Sequence, residues 1–287
     1  MDIFEFNTDD SMSELEKQYK YYLEVYNSFA EHRSIYRDLA NRISISWDSI
    51  EKCCSVYETY ILIQTYTYAE RLVKNLYYEL LNKGKNIDYI EQYLDKKIPA
   101  KRFSPNVKYE EMQKSIGNEL LAGFKFIIGD GRNEIKTYNN LVEARHIFAH
   151  RGMMVFNNSY QEVFNVEKYI AKEFEMIIIK GNEFRIQYQR DIFELKDISP
   201  KIQKSIKKYR DGAKYENKKK EIATDLKMLK KLCVKIEKEY NDYLIQSVML
   251  SDVVTFVQHI ASCDLRKQND VHEYILNNTT KLLNCIC

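Results

Sequence analysis

Arg145, His146 and His150 form the one place in this chain where an arginine and two histidines lie within six residues. Arginine carries a permanent positive charge and a fork of donors that fits phosphate oxygens. Histidine gains and loses a proton near neutral pH. Groups of these two kinds are sufficient to cleave RNA, because the 2′-hydroxyl of RNA supplies the nucleophile.

The element that carries these residues is predicted to be a helix from about Glu134 to Arg151, with Gly152 as its stop. Five helical steps of about 100° place Arg145 and His150 about 140° apart around such a helix. The two side chains therefore do not share one face of a straight helix. Either the helix ends near His150, or the pair works across an interface between two copies of the chain.

The order Arg145, polar His146, three further residues and His150, near the end of a predicted helix, resembles the ribonuclease motif of the HEPN superfamily (higher eukaryotes and prokaryotes nucleotide-binding domain). That motif has an Arg, usually followed directly by a polar residue, and a His a few positions later. By helix order, the resemblance covers roughly residues 47–160.

The resemblance implies a metal-independent endoribonuclease that acts as a homodimer with a composite active site and needs no cofactor. His150 would act as general base or general acid, Arg145 would hold the scissile phosphate, and His146 would orient the site or carry a second proton. The products would be a 2′,3′-cyclic phosphate and a 5′-hydroxyl. Such enzymes commonly serve as toxins or phage-defence effectors, so an antitoxin or another defence-system protein is an expected partner.

The resemblance also points to supporting residues. Glu70 matches an acidic residue that many of these domains carry on an earlier helix. Arg151 is either a phosphate contact or an ordinary solvated charge. Lys101 and Arg102 lie in a basic loop and are candidates for binding RNA. Gly152 stands where toxins controlled by a nucleotidyltransferase antitoxin often carry a tyrosine, which makes that form of control doubtful here.

Two alternatives remain open from the sequence. Arg145 could pair with a surface carboxylate while His150 simply ends a helix, where a cationic side chain is favourable. The chain could also be a non-catalytic HEPN-like module that binds a nucleotide, nucleic acid or a partner protein. The sequence contains no second Cys or His pair to complete a metal site with Cys285 and Cys287.

The composition predicts a mainly α protein, because 287 residues include only 3 Pro and 8 Gly while 30% are charged. The net charge of 44 − 42 = +2 shows no overall bias toward nucleic acid or membranes. No apolar run is long enough to cross a bilayer and the amino terminus does not resemble a secretory signal, so a cytoplasmic protein is expected.

The element pattern predicts an antiparallel helical bundle with a small β hairpin and a helical C-terminal extension. A first domain over residues 1–195 would hold the hairpin near 176–188, and a basic helical region would occupy 196–287. Residues 201–231 carry a local charge of 12 − 4 = +8, which suits either an RNA backbone or a solvated helix face. The predicted helices before the hairpin span about 11–42, 47–84, 87–96, 109–128 and 134–151.

Overall fold

The computed structural model describes residues 6–81, 96–99, 102–121, 132–153, 155–212, 216–245 and 251–285. The regular structure within those ranges is helical, which confirms the prediction of a mainly α protein. The α-helices are α1 (Thr8–Glu31), α2 (Arg33–Arg42), α3 (Trp47–Leu80), α4 (Tyr109–Ser115), α5 (Asn133–Arg151), α6 (Tyr160–Arg210), α7 (Glu216–Ile245), α8 (Ser251–Ser262) and α9 (Gln268–Cys285).

The described residues fall into two compact units. The first takes residues within Met1–Ser115 and Phe126–Ile179, and the second takes residues within Ile116–Lys125 and Lys180–Cys287. The division therefore lies inside α6, and the domain boundary predicted after residue 195 also falls within that helix.

The predicted first helix over 11–42 is two helices. Asn7 caps α1, and its side chain accepts hydrogen bonds from the backbone amides of Asp9 and Asp10 at 3.1 Å. His32 leaves helical geometry with φ −114° and ψ 31°, so α1 ends and α2 begins there. No Gly or Pro marks this break in the sequence.

The centre of the first unit is α3, which packs on α1, α2 and α5. Ser46 caps its start by accepting from the Ser49 amide at 3.2 Å. Ile61, Leu62 and Leu76 have no exposed surface, since apolar residues recur on several faces of this helix. The helix ends at Leu80, and its predicted stop at Gly84 lies outside the described residues.

The helix predicted over 109–128 is confirmed only in its first part. Its α-helical portion is α4, and five residues with π-helical geometry follow over Ile116–Leu120, where the Leu121 amide donates to the Ile116 carbonyl at 2.7 Å. Residues 122–131 lie outside the described part, as does most of the short helix predicted over 87–96.

The motif helix α5 agrees with the prediction at its C-terminal end. Gly152 adopts a left-handed conformation with φ 64°, and its amide donates to the Phe148 carbonyl at 2.9 Å. The helix packs on α3 and α4. His150 and Arg151 therefore lie in its last turn.

The β hairpin predicted over residues 176–188 is wrong, because those residues lie within α6. Phe174, Ile177 and Gly181 are all buried, at spacings of three and four, which is the periodicity of a helix packed on one side. The Ile-rich run continues that buried stripe rather than forming a strand. Pro200 also lies inside the helix and does not end it.

The second unit is built from the later part of α6 with α7, α8 and α9. Its core includes Ile206, Leu229, Ile236, Val253 and Leu282. Asp191 is buried and satisfied: Lys235 pairs with it at 2.6 Å, and Tyr240 donates to it at 3.1 Å. None of the helices in the described ranges is both long and apolar enough to cross a membrane.

Candidate active site

The motif residues of α5 divide between two sides of the helix. Arg145 is half-buried, whereas His146, His150 and Arg151 are exposed. The rings of His146 and His150, one helical turn apart, have centroids separated by 4.4 Å. Within the described part of the chain, Arg145 and His150 make no direct contact, in agreement with their angular separation on the helix.

Arg145 is directed toward α3. Its guanidinium carbon lies 5.1 Å from the centroid of the Tyr66 ring, which is within the range of a cation–π interaction. The pKa of Tyr66 is raised by burial and by the charge of Glu70, and the charge of Arg145 opposes that rise. Arg145, Tyr66 and Glu70 therefore share one electrostatic neighbourhood where α3 and α5 pack together.

Glu70 is half-buried on α3, one turn after Tyr66. The hydroxyl of Ser104 donates to its Oε1 at 2.8 Å. Burial lowers the pKa of Lys74, and the charge of Glu70 counteracts that effect. Glu70 thus links α3 to the segment that contains Ser104, and it places a negative charge close to Tyr66.

The other sequence-predicted binding residues are spread more widely. Arg102 is exposed, and Lys101 lies outside the described residues. Within the basic stretch, Lys218 pairs with Glu221 at 2.9 Å, and Lys219, Lys220 and Lys227 are exposed. These contacts are typical of a solvated helix face. In the described part of the chain, no three His, Cys, Asp or Glu side chains are grouped closely enough to hold a metal ion.

A buried carboxyl group in the first unit carries no hydrogen bond. Glu167 of α6 has no exposed surface, and neither of its side-chain oxygens has a partner within the described structure. Burial raises the pKa of Glu167 well above its ordinary value. Burial, followed by the charge of Glu167, also raises the pKa of Tyr68 and of Tyr138.

Tyr66, Ser104 and Glu167 are not indicated by the motif pattern. Tyr66 lies one turn before Glu70 on a helix, a spacing that puts both side chains on one face and would have suggested a shared role. Glu167 falls at helical spacing on the apolar stripe of Val163, Ile170 and Phe174, and a charged residue in such a stripe is a second usable signal. Nothing in the sequence near Ser104 indicates its contact with Glu70, because 34 positions separate them.

Comparison of the chain with protein-family models, curated proteins and solved structures gives no match.

Proposed function

We propose that the chain is a metal-independent endoribonuclease that acts as a homodimer, in the role of a toxin or phage-defence effector. The observation that carries the proposal is the arrangement around α5. One arginine is held against Tyr66 and close to Glu70, while two exposed histidines lie at the end of the same helix. The resemblance of the Arg145, His146, His150 pattern to HEPN ribonucleases supports the same conclusion.

In the proposed reaction, one histidine accepts the proton of the 2′-hydroxyl as the 2′-oxygen attacks phosphorus. The bond from phosphorus to the 5′-oxygen breaks, and a protonated histidine supplies the proton to that leaving oxygen. The products are a 2′,3′-cyclic phosphate and a 5′-hydroxyl. Arg145 binds the non-bridging oxygens, whose negative charge increases in the transition state.

The spacing of the histidines favours a site shared by two copies. Displacement at phosphorus places the attacking and leaving oxygens roughly in line, on opposite sides of the phosphorus atom. His146 and His150 of one copy are neighbours with ring centroids 4.4 Å apart, so together they serve one of those sides. A second copy would supply the other side. Met153 and Val155, just beyond the motif, are exposed apolar side chains that such a copy could cover.

Cleavage of RNA in the presence of EDTA tests this function. We expect the purified chain to cleave RNA in EDTA, and we expect both Arg145→Ala and His150→Ala to lower the rate by about 100-fold or more. Arg37→Ala is the matched control, because Arg37 is exposed on α2 and belongs to no part of the proposed site. Mapping the product ends should give a cyclic phosphate and a 5′-hydroxyl.

Cleavage that is unchanged in Arg145→Ala and His150→Ala would overturn the proposal. Binding of RNA without cleavage, with the same affinity in both variants, would instead identify a non-catalytic binding module. Light scattering should give a dimer, and a monomer both with and without RNA would contradict a shared site.

A further inference from the structure

A second feature of the first unit is a cleft of about 330 Å³ formed by α1, α2 and the start of α3. Its volume is within the range of small-molecule sites. Aromatic rings line much of it, contributed by Tyr22, Tyr26, Phe29 and Trp47. Rings of this kind are suited to stacking against a planar base.

The charges at one end of the cleft already compensate each other. Arg33 pairs with Glu51 at 2.7 Å, and the indole N–H of Trp47 donates to the same carboxylate at 2.6 Å. The Arg33 guanidinium carbon also lies 5.7 Å from the centroid of the Trp47 ring. Arg33 and Glu51 therefore neutralise each other, and the face of the Trp47 ring beside them already carries the guanidinium.

Glu58 is a second carboxylate in the cleft. It is half-buried, and Tyr22 forms a side-chain hydrogen bond with it. A carboxylate has about four acceptor positions, so the Tyr22 bond leaves capacity for further donors. The charge of Glu58 adds to burial in raising the pKa of Tyr19.

These groups together select one kind of ligand. Stacking requires a flat ring, and the acceptor positions left on the Glu58 carboxylate suit a base edge with two neighbouring donors. Guanine meets the second requirement, because its ring N–H and its 2-amino group are adjacent on the Watson–Crick edge. The other RNA bases lack such a pair of donors, and a base edge of this kind is what proteins contact in unpaired RNA.

We propose that this cleft binds a guanine base of the RNA, with Glu58 accepting hydrogen bonds from that edge. The proposal rests on the proposed function in taking RNA as the substrate. Glu58 and Glu70 are twelve residues apart on α3, or about 18 Å along the helix axis. The cleft would therefore recognise a guanine at some distance from the cleaved bond and would make the choice of cleavage site depend on sequence.

Trp47 provides a direct measurement, because it is the single tryptophan of the chain and it lines the cleft. Guanosine monophosphate is titrated while the Trp47 fluorescence is recorded, and adenosine, cytidine and inosine monophosphates are titrated for comparison. We expect the guanine nucleotide to bind at least about tenfold more tightly than the other three. Inosine monophosphate lacks the 2-amino group, so its weaker binding tests the paired donors without any change to the protein.

The matched variants are Glu58→Gln and Glu31→Gln, since Glu31 is an exposed carboxylate at the end of α1. Glu58→Gln should weaken guanosine monophosphate binding by about tenfold or more, and Glu31→Gln should leave it unchanged. Arg145→Ala should bind the nucleotide normally while failing to cleave RNA. Normal nucleotide binding together with lost cleavage in Arg145→Ala would show that the cleft binds independently of the proposed active site.

Equal binding of all four nucleotides would overturn the proposal. So would stronger binding of tetramethylammonium than of guanosine monophosphate, which would identify a cation site. Selective guanine binding by a protein that never cleaves RNA would support the cleft and contradict the ribonuclease function. RNA cleavage by a protein that binds all four nucleotides equally would support the ribonuclease function and contradict the guanine site.

Discussion

The Arg145 side chain lies against a residue of another helix. Its guanidinium lies over the Tyr66 ring, on the side of α5 away from the two histidines. The proximity of His146 and His150 can be predicted from the sequence, because residues one turn apart are neighbours on a helix surface. The contact with Tyr66 is not, because it depends on how α3 and α5 pack.

Replacing Tyr66 tests whether its ring positions Arg145. We expect Tyr66→Ala to slow RNA cleavage by about 5- to 30-fold, which corresponds to the roughly 1–2 kcal/mol of a partly desolvated cation–π contact. Tyr66→Phe keeps the ring and should retain most of the rate. The measurement is the single-turnover rate of RNA cleavage at saturating enzyme. Equal losses in both variants would assign the effect to the hydroxyl and contradict a role for the ring.

Glu167 should make the stability of the first unit depend on pH. Its pKa is raised in the folded state by burial, so the folded chain holds its proton at pH values where the unfolded chain has lost it. The free energy of unfolding contributed by this group therefore falls as pH rises above the ordinary glutamate pKa of about 4.3. Glu167→Gln cannot ionise, and we expect it to become progressively more stable than the wild type between about pH 5 and 8.

Urea denaturation at several pH values measures this difference. Glu175→Gln is the control, since Glu175 is an exposed glutamate on the same helix. Parallel pH profiles for the wild type and Glu167→Gln would show that Glu167 binds its proton equally in the folded and unfolded states over this range, which would contradict the prediction. A shallower fall for Glu175→Gln than for the wild type would assign the pH dependence to Glu175 instead.

Among the helices, α5 and α6 show what the sequence can and cannot predict. The end of α5 is correctly predicted because Gly152 is the type of residue that a left-handed C-cap requires. The hairpin in α6 is wrongly predicted because a short apolar run with a Lys180-Gly181-Asn182 sequence fits a strand and turn equally well locally. The buried stripe that continues through Gly181 is decided by packing against the rest of the chain, which no local pattern contains.

The C-cap of α5 can be tested by substitutions that change conformational cost alone. A β-carbon at Gly152 would meet no atom within 4 Å, so the cost of Gly152→Ala comes from its φ of 64°. We expect Gly152→Ala to lower the free energy of unfolding by about 1 kcal/mol, and Gly152→Asn to lower it less. Ser44 has φ 58° without being glycine, so Ser44→Gly should act in the opposite direction by about 0.5 kcal/mol.

Thermal or urea denaturation measures these three variants. The order from least to most stable should be Gly152→Ala, Gly152→Asn, wild type and Ser44→Gly. If Gly152→Ala were as stable as the wild type, the end of α5 would not depend on the left-handed conformation. The position of His150, two residues before the cap, would then need another explanation.

For the molecule as a whole, the mainly α class could be predicted because composition and periodicity are properties of the entire chain. The division into two compact units could not be predicted, because it falls inside α6, where no linker composition marks a boundary. The motif residues raise a related question. Arg145 and His150 lie on different sides of one helix, so under the proposed function their joint action would require two copies of the chain.

Mixing two inactive variants tests that assembly directly. In a shared site that takes these residues from both copies, each variant alone removes both copies of one residue, whereas a mixed dimer of Arg145→Ala and His150→Ala keeps one Arg145 and one His150. Random exchange makes half of the dimers mixed, so we expect the mixture to recover measurable cleavage, at no more than about half of the wild-type rate. Each variant alone should be inactive, and a mixture of Arg145→Ala with itself under the same exchange conditions is the control. If each copy forms its own site, the mixture will be as inactive as its parts, because every copy then lacks one of the two residues.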